Sequence, residues 1–125
     1  MLSRKAILIG APSVETYLPG VVQDIKDMKA FLCSPMGGAW REDEIVTLVD
    51  QSKATVTKHL NSCGDVDYVF ILCAGHGEHQ VHGTNGSTVI YLTEEDTLSI
   101  DSISSSGKRQ FVIADVCRPE RKLSK

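Results

Sequence analysis

The chain has 125 residues, enough for one domain around one core. Its content of 42% apolar and 23% charged residues is that of an ordinary soluble globular protein. A net charge of −3 gives no basic field for nucleic acid, and no apolar run approaches the roughly 20 residues of a membrane span.

The basic N-terminal start is followed by an apolar run too short for a signal peptide. "KAILIG" (5–10) reads instead as a first strand ended by a turn. "VVQDIKDMKAFL" (21–32) sets Val22, Ile25, Met28 and Leu32 at helical spacing, with charges between them. "EIVTLVD" (44–50) is a β-branched strand. "SKATVTKHLNSCG" (52–64) opens on a capping serine and closes on glycine, as a helix does. "DYVFILCAG" (67–75) and "QFVIADVC" (110–117) are continuous apolar runs, which suit strands buried on both faces of a parallel sheet. Between them, "STVIYL" (87–92) reads as a small extra strand, and "LSIDSISSSG" (98–107) has room only for a short helix. Strand, helix, strand, helix, strand is the α/β pattern. No repeat, linker or low-complexity tract breaks the chain into further domains.

The cysteines Cys33, Cys63, Cys73 and Cys117 have no close metal-type spacing. Without a secretory signal they are expected as free thiols in a protein of the cytoplasm.

"FILCAGHGEHQ" (70–80) ends an apolar run on a histidine held between two glycines. Functional groups of open α/β sheets collect at the carboxyl ends of the strands. His76 falls there, just past "YVFILCA", and Cys117 falls at the matching place one strand later, just past "FVIAD". Gly75 and Gly77 allow a sharp turn and a close approach. If the two strands are neighbours, a thiol and an imidazole meet at one edge, and that pair is a nucleophile beside a base. Such a pair performs acyl transfer, most often peptide hydrolysis.

These residues carry a resemblance. The chain resembles the large, catalytic subunit of caspase-type cysteine proteases, closest to the metacaspases and their bacterial relatives. "KAILIG" is similar to the family's first strand, and "LPGVVQDIKDMKAFL" to its Gly-x-x-x-Asp-x-x-x-Met helix. "EIVTLVDQSKATVTKHL" resembles its second strand and helix, "AGHG" its histidine motif and "ADVCR" its cysteine motif. Caspases have Gln-Ala-Cys-Arg-Gly there, with the histidine about 50 residues earlier. Here Asp115 replaces the glutamine, as in metacaspases, Arg118 keeps the caspase form, and Pro119 departs from the usual glycine.

The resemblance implies a mainly parallel sheet flanked by helices, with residues 1–125 as the large-subunit part of the catalytic domain. This part supplies about four core strands, with the Cys117 strand as an uncovered edge; a small subunit of the same precursor would complete the sheet. Cys117 would be the nucleophile and His76 the base. The backbone N–H groups of Gly77 and Cys117 would form the oxyanion hole. Asp24 and Asp115 would line the primary specificity pocket and favour arginine or lysine. Caspases hold aspartate with arginines, and "GAPSVETYLPG" supplies none. The polar "PERKLSK" after the cysteine reads as an exposed linker, with Lys125 at or near a processing cut and Arg121 and Lys122 as neighbouring choices. Partners are then protein or peptide substrates, with no nucleic acid and no membrane. Bacterial relatives often act in defence or regulated death.

The same residues admit rival readings. Zinc on His76, His79 and His82 needs a helix, which the glycine-flanked start disfavours. "IGAPSVETYLPG" lacks the spacing of a nucleotide loop. No cofactor is required by the sequence; some metacaspases use calcium, and Glu94, Glu95 and Asp96 are available acids. A caspase-like scaffold without catalysis is the other function class, but its usual mark is loss of the histidine or the cysteine, and both are present.

Overall fold

The computed structural model describes residues 2–14, 16–117 and 120–122. Its elements in chain order are β1 (Arg4–Ala11), α1 (Pro19–Cys33), β2 (Ile45–Val49), α2 (Lys53–Leu60), β3 (Tyr68–His82), β4 (Asn85–Tyr91), β5 (Thr97–Ser99), β6 (Arg109–Cys117) and β7 (Glu120–Lys122). Short 3-10 turns precede β2 and follow β5.

Four strands form the parallel part in the order β2-β1-β3-β6. Alternation sorts their residues between two layers. Ile7, Ile9, Val69, Ile71 and Cys73 pack with Val56 and Leu60 of α2. Ala6, Leu8, Phe70 and Leu72 pack with Ile25 and Leu32 of α1 and with Trp40. Apolar side chains at every position are what burial on both faces requires, so these strands read as unbroken apolar runs.

Pro19 opens α1, where its missing N–H costs nothing. At the other end the Ser34 amide N–H bonds back to Ala30 and Phe31. The buried stripe of α1 is Val21, Ile25 and Leu32, with Met28 at its margin. Val21 thus takes the place expected for Val22, which is only half-buried. Ser52 caps α2 by accepting the Thr55 amide N–H at 3.2 Å.

Two expectations are corrected. The third strand does not stop at Gly75 but runs through the histidine to His82, changing partners on the way. Its first half pairs in parallel with β1 and β6; from Gly77 it pairs antiparallel with β4 as a hairpin, and β4 pairs on with β5. The segment read as an exposed linker also enters the sheet in part. Its residues 120–122 form β7, parallel to His79–Val81 of β3. Lys125 lies outside the described residues.

The parallel part has the four strands expected of it. β6 has β3 on one side and, among the described residues, no strand pairing along the other side of Arg109–Cys117.

Candidate active site

The register of β3 and β6 pairs Leu72 with Ile113, Ala74 with Asp115 and His76 with Cys117. Paired positions in a parallel ladder share a face, and Leu72 and Ile113 both belong to the layer beneath α1. The backbone of position 117 therefore stands beside that of position 76 at the carboxyl edge of the sheet. The two strands are neighbours, as the nucleophile-and-base reading requires.

Gly75 lets β3 lie close against β1 just before His76. Its φ is +156°, and a Cβ there would stand 3.0 Å from the Ala11 carbonyl oxygen. Only a residue without a side chain lets β1 and β3 close up at this point. Gly77 is buried and opposes Ile90 of β4.

His76 is half-buried, and its ring has a fixed partner. Nε2 lies 3.1 Å from the backbone carbonyl oxygen of Thr16. A carbonyl only accepts, so Nε2 carries the proton. Nδ1 is then the basic nitrogen. Thr16 belongs to the loop between β1 and α1, which the Leu18 N–H closes onto the Pro12 carbonyl at 2.8 Å. No sequence motif marks Thr16, because the group it contributes is a backbone oxygen that any residue would supply.

Asp24 and Asp115 come together. Both are exposed, and both line a groove of about 560 Å³ between α1 and β6. Met28, Phe31, Leu72 and Ile113 form its apolar wall. Asp27, one helical turn from Asp24, is a third carboxylate in the groove; Gln23 donates to it at 2.7 Å. The sequence reading missed Asp27, although its i, i+3 spacing from Asp24 was the available signal. Among the described residues, no lysine or arginine pairs with these three acids. The groove offers negative charge at its rim and an apolar wall beside it.

Two of the other thiols are poor nucleophiles. Cys63 and Cys73 are fully buried in the core. Burial pushes the Cys73 thiol up to about 12 and raises that of Cys63.

His79 is engaged elsewhere: its Nδ1 lies 3.0 Å from the Thr88 hydroxyl. Asp96 accepts the Lys53 amide N–H at 2.8 Å. Among the described residues no three His, Cys, Asp or Glu side chains are grouped to hold a metal ion.

The family model of the caspase domain matches residues 3–125. The chain belongs to the caspase-domain family. It is thus a member of a cysteine peptidase family, and its mixed sheet, with a parallel part and flanking helices, is the caspase-like α/β fold. No curated protein matches it. Among the described residues no helix is long and apolar enough to cross a membrane.

Proposed function

We propose that this caspase-domain chain is a cysteine endopeptidase that uses His76 and Cys117 to cleave proteins after arginine or lysine. The observation that carries the reading is the pairing of position 76 with position 117 at one strand edge, directly above a groove bearing Asp24 and Asp115.

In this mechanism His76 Nδ1 takes the thiol proton of Cys117, and the thiolate attacks the scissile carbonyl. The bond between Nε2–H and the Thr16 carbonyl oxygen orients the ring and favours the imidazolium that forms. Backbone N–H groups of Gly77 and Cys117 receive the oxyanion, a role worth about 3–4 kcal/mol per donor in comparable enzymes. His76 returns the proton to the leaving amine, and water hydrolyses the thioester.

Specificity follows from charge. A guanidinium or ammonium entering the groove would meet carboxylates, and its alkyl stem would lie against Met28, Leu72 and Ile113. An aspartate there would face like charge. The uncovered side of β6 suits a further strand from a small subunit of the same precursor. Cleavage after Arg121, Lys122 or Lys125 would separate the two parts, since these residues meet the same specificity. The working environment is the cytoplasm, and the role is regulated proteolysis, as in defence or cell death.

Fluorogenic peptides that differ only in the cleaved residue test the reading. Hydrolysis after arginine or lysine, lost in Cys117→Ala, is the expected result. A profile dominated by aspartate would overturn the specificity, and full activity in Cys117→Ala would overturn the chemistry.

A further inference from the structure

The carboxyl edge of the sheet carries a second acid that the proposed mechanism does not use. Asp50 directly follows β2, and its φ of +54° lies in the left-handed region, where a side chain other than asparagine or aspartate is disfavoured. Its amide N–H bonds to the Gly10 carbonyl oxygen at 2.9 Å, which fixes it to the end of β1. Its carboxylate then reaches across to the next loop. Oδ2 accepts the Ser13 hydroxyl at 2.7 Å, and Oδ1 accepts the Ser13 amide N–H at 3.2 Å.

Ser13 lies in the loop that presents the Thr16 carbonyl to His76. That loop is closed at its base by the Leu18 to Pro12 backbone bond, and Pro12 and Val14 are buried. A carboxylate that takes both polar hydrogens of Ser13 pins that residue, three positions before Thr16 in the chain. Two sets of contacts stand three residues apart in this loop: Ser13 to Asp50, and the Thr16 carbonyl oxygen to Nε2 of His76.

We propose that Asp50 is a positioning residue for the catalytic base: by holding Ser13 it helps set the place of the Thr16 carbonyl, which fixes the ring of His76. This rests on His76 acting as the base. Asp50 touches neither His76 nor the groove residues in any described contact, so it acts through the loop. Its effect is on orientation, and orientation affects the chemical step more than substrate binding.

Three substitutions separate the roles of the side chain. Asp50→Asn keeps the left-handed backbone and both contacts, because Oδ1 still accepts the amide and the Ser13 hydroxyl can turn to accept from the new amide. Asp50→Gly keeps the backbone conformation and removes both contacts. Ser13→Ala removes the hydroxyl alone. With an arginine-terminated fluorogenic peptide, Asp50→Gly is expected to lower kcat by about tenfold with KM little changed, the scale of a lost charge-assisted hydrogen bond. Asp50→Asn should stay within about threefold of wild type, and Ser13→Ala should add little to Asp50→Gly, as residues acting through one contact do.

An independent readout is the Nε2–H signal of His76 in proton–nitrogen spectra, assigned with His76→Ala. It should be present in wild type and in Asp50→Asn, and be weakened by solvent exchange in Asp50→Gly. An unchanged signal and an unchanged kcat in Asp50→Gly would overturn the assignment, as would an equal loss in Asp50→Asn and Asp50→Gly. A wild-type chain that keeps the signal but cleaves no arginine or lysine peptide would instead sink the peptidase reading, leaving the ring anchor as a structural device only.

Discussion

Gly10 of β1 and Ala74 of β3 lie side by side in the sheet, and the next position in the same row is Asp115 of β6. A Cβ on Gly10 would come within 3.2 Å of both Val21 and Ile25. Two small residues in one row therefore let the first half of α1 settle onto the sheet. That approach brings Asp24 level with Asp115 across the groove.

Gly10→Val should lift the start of α1, because the added methyls meet side chains already in contact. A stability loss of about 1–3 kcal/mol is expected from overpacking at such a site. Urea denaturation measures it. The same variant should show a lower kcat/KM for arginine peptides, since Asp24 moves with the helix.

Asp115→Asn should reduce the preference for basic residues more than it reduces turnover. The side chain is exposed on the rim of the groove, so its loss should leave the core intact and act on the proposed substrate contact. A loss of about tenfold or more in kcat/KM for an arginine peptide is the scale for one charge-assisted pair. The check is a peptide library compared with wild type; an unchanged profile would remove Asp115 from the specificity pocket.

Thiol reactivity provides a test that needs no substrate. Cys63 and Cys73 are buried, and burial raises both thiols. Iodoacetamide at neutral pH is expected to modify Cys117 first, because a thiolate beside an imidazole is the reactive form. Peptide mapping by mass spectrometry should show that the fast label disappears in Cys117→Ala and slows in His76→Ala.

Much of this arrangement was legible in the sequence. The continuous apolar runs at 5–10, 67–75 and 110–117 gave away strands buried on two faces, and Ser52 marked a helix start. The second half of β3 was not legible. Glu78, His79 and Gln80 look like a loop by composition, yet they pair with β4 in a hairpin whose turn passes through Gly83. Glu78 is buried all the same. Polar residues can complete a strand when hairpin pairing, and not apolar burial, holds the backbone. Asp24 and Asp115 were legible through their motifs, whereas Thr16 was not, since its contribution is a carbonyl. Ser13 and Asp50 could be joined only once β1 and β2 were known to be neighbours.

Alkaline pH should unfold this protein through Cys73. Its thiol is held at about 12 in the folded state against an ordinary value of 9.0. Below the lower value both states keep the proton, and the burial of a neutral thiol has no pH dependence. Between the two values the unfolded chain loses the proton while the folded chain keeps it, so stability falls as pH rises. The slope from one such group is about 1.4 kcal/mol per pH unit. Cys73→Ala should be less stable at neutral pH but should lose this part of the slope. Denaturation curves across the alkaline range, taken for both proteins, measure the difference.

The place of β6 also dictates an order of assembly. It is the last long strand in the described chain, and it pairs with the sheet only through β3. A polypeptide emerging from its N-terminus can build β1, β2, β3 and the loop around Thr16 before the strand that ends in Cys117 exists. The base and its anchor are thus ready first, and the proposed nucleophile docks last. A nascent or interrupted chain would hold a complete half-site with nothing to attack, so proteolytic competence would arrive only with the end of synthesis of this segment.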